Sequence, residues 1–163
     1  MMNYYNYLPN PVFNVINQQY LTGCNFGQQG MYAEQMNNLW AAMQSYDRAI
    51  ACIEQSIYLA QQSGMSIYSQ VYYNLALAHF SGARVKYALG YGTAFQSHCQ
   101  QAQYALNRAM AINPDLAQSI PNITQPPTNN HSEPNNTIET MNNLFKMLDT
   151  AFKAANSFQE LWQ

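Results

Sequence analysis

Residues 101–116, QAQYALNRAMAINPDL, decide the fold. Ala102, Leu106, Ala109/Met110 and Ile112 recur at steps of three and four, the spacing of one face of an α-helix. The run stops at Asn113-Pro114-Asp115, because the residue before a proline is pushed out of the helical region. Small side chains at Ala102 and Ala109 let a neighbouring helix axis approach closely, and Leu106 fills the space between the axes. Phe95 and Cys99 extend the same face upstream, with Thr93 as the expected N-cap after the break at Gly90-Tyr91-Gly92.

A preceding helix is expected from Ser66 to about Leu89, through Ile67, Val71, Leu75, Ala78/His79 and Val85. Before it, the stretch from Met31 to about Gln62 carries apolar residues at Met36, Leu39/Trp40, Met43, Tyr46, Ile50, Ile53, Ile57 and Ala60. That pattern fits one long helix, or two with a turn near Gln44–Tyr46, stopped by Gln62-Ser63-Gly64. Residues 1–29 are rich in Tyr, Asn, Gln, Gly and Pro and read as an irregular arm, with apolar grip from Phe13, Val15 and Ile16 and a weak edge-strand signal at Asn14-Val15-Ile16. Residues 117–135, with Pro121, Pro126, Pro127 and Pro134, read as a linker. Residues 136–163 read as a terminal amphipathic helix, with Asn136 and Glu139 as a capping box. Its stripe is Ile138, Met141, Leu144/Phe145, Leu148, Phe152, Ala155, Phe158 and Leu161/Trp162. It is expected to pack back on the earlier helices or on another subunit, since such a helix draws its stability from packing.

Composition narrows the function. Only 6 Lys+Arg and 8 Asp+Glu occur in 163 residues, or 9% charged against a usual ~25%. Asn (19) and Gln (18) take the place of the missing charges. A net charge of −2 excludes a basic nucleic-acid binder of the usual kind, and no unbroken apolar run is long enough for a membrane span. A surface of Gln, Asn, Ser and Tyr favours close association and makes contacts insensitive to salt. No basic, apolar secretory leader opens the sequence, so an intracellular place, or one inside an assembled particle, is expected.

Two stretches resemble the tetratricopeptide repeat (TPR), a pair of antiparallel helices. Tyr72, Leu75, Ala76 and His79 match its first helix, with His in place of the family's aromatic residue. Ala102, Leu106, Ala109 and Pro114 match its second at the family's spacing. Upstream, Ser45-Tyr46-Asp47-Arg48-Ala49 resembles the entry into an earlier second helix. Superposition then pairs Ala49 with Ala102, Ile53 with Leu106 and Ser56 with Ala109, with Asn37 at a small-residue position. The likeness spans about residues 30–116. It implies an all-α domain of helical hairpins and a non-enzymatic role in binding a protein segment. Leu75, Ala76, Ala102, Leu106 and Ala109 would pack the helices, and Gln70, Tyr73, Asn74, Leu77 and Ser81 would face the binding groove. The family's cationic clamp on a C-terminal carboxylate lacks its cations here, so a partner's helix, an extended segment or the chain's own terminal helix suits the groove better. The alternative is a self-assembling structural protein of a spore layer, virion or filament.

Catalytic, cofactor and metal motifs are missing from the sequence. His79 lies on an apolar helix side, as a packed, hydrogen-bonded histidine would. His98 and Cys99 are adjacent and share no helix face, and His131 falls in the linker. The carboxylates are scattered, without a His-Glu-x-x-His or a Gly-rich phosphate loop. No small-molecule substrate is indicated. Cys52 and Cys99 are expected as buried thiols, and Cys24, in the arm, is the one to choose on exposure alone if any thiol is reactive. The expected partner is therefore another protein or a second copy of this chain.

Overall fold

Three chain reversals of one kind shape the molecule. Asn37 (φ 57°), Gly64 (φ 64°) and Gly90 (φ 86°) adopt left-handed backbone. The next N–H in each case bonds back five residues, from Asn38 to the Ala33 carbonyl, from Met65 to Ala60 and from Tyr91 to Lys86. Each such turn satisfies carbonyls left open at a helix end. In the computed structural model, which describes residues 11–116, these turns separate four helices: α1 Pro11–Gln35, α2 Leu39–Gln62, α3 Ser69–Ala88 and α4 Gly92–Ile112. No strand occurs among the described residues, so the domain is all-α. Helix α1 packs along α2, α3 along α4, and α2 against α3, while α1 and α3 approach each other only at a few points.

Helix α3 is the centre of the core. Tyr72, Tyr73, Leu75, Ala76, Leu77, Ala78, His79, Phe80, Ala83 and Val85 are all buried, so it is apolar nearly all round, as a helix covered on several sides must be. Leu75, Ala76, Ala102, Leu106 and Ala109 are buried in one cluster. The pairs Ala49 and Ala102, Ile53 and Leu106, and Ser56 and Ala109 are equally buried on α2 and α4.

Several expectations are corrected. Residues 11–29 of the supposed arm form most of α1, without a strand at 14–16, so the helical part begins at Pro11 and not at residue 30. Composition misled because two of the three glycines of α1, Gly23 and Gly30, are packing residues. A Cβ on Gly23 would lie 2.7 Å from Ile53 Cγ1 and 3.0 Å from the Ala49 carbonyl oxygen, and one on Gly30 would lie 2.7 Å from the Tyr46 ring. Only a bare backbone can sit that close to α2. The break after the first helix falls at 36–38, not at Gln44–Tyr46, because Asn37 takes the turn conformation that the repeat alignment assigned to a small packing residue. Tyr46 instead lies buried inside α2. Thr93 is not the cap of α4. Tyr91 holds that position, without a side-chain hydrogen bond. For α2 the cap is Asn38, whose Oδ1 accepts from the Ala41 amide at 3.1 Å. The linker and terminal helix expected over 117–163, with His131, lie outside the described residues.

Candidate functional site

The incomplete contact between α1 and α3 leaves a groove of about 900 Å³ floored by α2. Phe13, Ile16, Tyr20 and Met31 form the α1 wall. Ala49, Ile53, Ser56 and Ile57 form the floor, and Gln70, Asn74, Leu77 and Ser81 the α3 wall. Among the described residues, no Asp, Glu, Lys, Arg or His lines it. Four of the five residues expected to face a binding groove, Gln70, Asn74, Leu77 and Ser81, are therefore there. Tyr73 is not, because it is buried in the core cluster on another side of α3. The α1 wall was missed together with its helix. Its spacing of Phe13, Ile16, Tyr20, Gly23 and Gly27, at steps of three and four, carried the signal.

Halfway along, a polar contact crosses the groove. The Asn74 amide donates to the Tyr20 hydroxyl at 2.7 Å and meets Cys24 Sγ at 3.5 Å. Burial, and secondarily the neighbouring Cys24, raises the Tyr20 pKa. Burial also raises that of the Cys24 thiol. Cys24 is thus half-buried and held protonated, contrary to its expected exposure, whereas Cys52 and Cys99 are partly exposed where full burial was expected. Burial pushes the Cys99 thiol up to about 11.

One end of the groove is closed by a clasp. Arg84 on α3 donates to both Glu34 carboxylate oxygens on α1, at 2.9 and 2.6 Å, and the Tyr46 hydroxyl of α2 donates to the same carboxylate at 2.7 Å. At the other end lie Phe13, Tyr68 and Leu116, with Phe13 and Tyr68 widely exposed.

A second polar group lies away from the groove and ties α2, α3 and α4. Lys86 Nζ is 2.5 Å from Asp47 Oδ1 and 2.7 Å from His98 Nε2. His98 Nδ1 is 3.0 Å from His79 Nδ1, and His79 Nε2 is 3.6 Å from Glu54 Oε1. An ammonium only donates, so His98 accepts at Nε2 and carries its proton on Nδ1. His79 then accepts at Nδ1 and turns its Nε2–H toward Glu54. A second proton on His98 would set its Nε2–H against the Lys86 ammonium, so these contacts favour the neutral ring. Burial, then the Lys86 charge, lowers the His98 pKa below the ordinary histidine value. The unfolded chain, with an ordinary His98 near 6.5, therefore takes up the proton first as the pH falls. Stability is full above about pH 6.5 and declines on acidification below it. Thermal melts between pH 7 and pH 5 are expected to show a falling Tm, and His98→Gln a flatter profile. Equal slopes would place the titration elsewhere.

Among the described residues, the charges are used between helices. Besides these groups, Arg48 lies 5.6 Å over the Phe26 ring and Arg108 5.5 Å over the Tyr72 ring. No group of three or more His, Cys, Asp or Glu among the described residues is placed to hold a metal, and no helix there is long and apolar enough to cross a membrane. No family model, curated protein or solved structure matches the chain.

Proposed function

We propose that the chain is a non-enzymatic, TPR-like interaction module whose α1–α3 groove takes an apolar helix or extended segment, from a protein partner or from the chain itself. The observation that carries this reading is a groove of about 900 Å³ with no charged residue among the described residues that line it. Such a surface has no means to orient an ionic substrate, and any charge placed in it loses hydration without gaining a partner. Of the titratable groups that line it, Tyr20, Tyr46 and Cys24 have raised pKa values and stay protonated, the wrong state for a nucleophile or base. What the walls offer is apolar contact from Ile53, Ile57 and Leu77 and amide hydrogen bonds from Gln70 and Asn74, the means by which a groove holds a polypeptide.

The test is site-specific photocrosslinking. A benzophenone amino acid in place of Tyr68, at the groove mouth, is expected to crosslink to a polypeptide segment in native extract. The same group at Tyr104, exposed on α4 and outside the groove, is not. Equal crosslinking at both positions, or at neither, overturns the reading. The alternative of a self-assembling structural protein is favoured by the exposed tyrosines Tyr32, Tyr58, Tyr68 and Tyr104 on a charge-poor surface. Light scattering that finds a large particle, and not a monomer or dimer, would select it.

A further inference from the structure

We infer that the resident occupant of the groove is the chain's own segment Ile138–Trp162, docked as a helix along α1 and α3, so that an outside partner must displace it. The inference rests on the groove reading above and names its ligand.

Three observations converge on this segment. The first is chemistry. On a helical wheel, Met141, Leu144, Leu148, Phe152, Ala155 and Trp162 form one stripe. Every charge of the segment, Glu139, Lys146, Asp149, Lys153 and Glu160, lies about 100° or more from its centre. Seated by that stripe, the helix puts an uncharged face against an uncharged groove and leaves all five charges in water. The second is length. The α1 residues that line the groove run from Phe13 to Met31, about 28 Å of helix, and Ile138–Trp162 as a helix spans about 37 Å, enough to cover that wall. The third is tethering. The described chain leaves α4 through Asn113 and Leu116, and both line the groove. Only residues 117–137 separate Leu116 from the segment, so its docking is intramolecular, at an effective concentration on the order of millimolar. A second copy or an outside protein has no such advantage. The outward side of α4 competes poorly, since it presents Arg108 and the Gln103–Asn107 hydrogen bond.

The groove contains its own reporter. Cys24 lines it, while Cys52 and Cys99 do not, so alkylation of the intact chain mapped by mass spectrometry reads occupancy with two internal controls. In the full chain, Cys24 is expected to react slowly with iodoacetamide. The double variant Leu148→Asp, Phe152→Asp is expected to raise its rate by at least about tenfold, since the observed rate scales with the open fraction. Cys52 and Cys99 should keep their rates, which also shows that the fold is intact. A synthetic peptide of residues 136–163 added to the variant should restore protection. Equal Cys24 rates in the two chains overturn the inference. So does protection that disappears on tenfold dilution, which assigns the site to a second copy. If Cys24 rates are equal while the Tyr68 crosslinker captures another polypeptide, the groove reading stands and only its internal occupant is lost. If neither signal appears, both fall.

Discussion

Replacing Gly23 by valine is expected to lower stability by about 3 kcal/mol, whereas replacing Gly27 by alanine is expected to raise it by about 0.5–1 kcal/mol. The two glycines are one turn apart on α1 and have equal helix propensity. They differ in what a side chain meets. A Cβ on Gly23 falls within contact range of Ile53 Cγ1, the Ala49 carbonyl oxygen and Cys52 Cβ, and the last two belong to backbone or its first carbon. These atoms cannot swing aside, so α1 itself must lift, carrying the groove wall with it. A Cβ on Gly27 meets nothing within 4 Å, and alanine there simply removes the entropy cost of glycine in a helix. Urea denaturation of the full-length proteins measures both. Similar stabilities for the two variants would mean that α1 does not press on α2 as closely as described.

Replacing Glu34 by alanine is expected to cost about 2 kcal/mol. The carboxylate is largely buried and accepts from the Tyr46 hydroxyl and from two nitrogens of Arg84, so it joins α1, α2 and α3 at one point. Arg84 is about two-fifths exposed, and water replaces part of what its guanidinium loses, which keeps the figure below that of a fully buried pair. The Tyr46 hydroxyl has no such recourse. Burial and the adjacent Glu34 charge already raise its pKa. Tyr46→Phe should therefore cost less than Glu34→Ala, and the double variant should cost less than the sum, since both remove the same contact. Strict additivity in urea titrations would show that the two side chains do not work together.

The sequence made α2, α3 and α4 legible for a simple reason. Their apolar residues are large enough to mark a face, and Gly64 and Gly90 mark the stops where the left-handed turns occur. The α3 wall of the groove followed from the same periodicity, apart from Tyr73, whose polar ring gave no sign that it turns inward. Helix α1 was hidden by its means of packing. Gly23 and Gly30 bury backbone against α2, a contact that hydrophobic periodicity counts as a gap. The third turn was missed because Asn37 serves there where glycine serves at the other two. The His79–His98 contact could not be read from spacing at all, since it joins residues 19 apart on two helices whose relative rotation is set by core packing. The three-helix clasp at Glu34 was beyond reach for the same reason.

If the groove takes a guest as proposed, its neutrality also determines how that guest finds it. Charged recognition surfaces project a field several ångströms into solution and draw partners along it, raising capture rates by orders of magnitude. The walls between α1 and α3 project almost none, so an incoming chain meets them by undirected diffusion, at rates on the order of 10⁵–10⁶ M⁻¹ s⁻¹. Discrimination between guests then rests on how long each one stays.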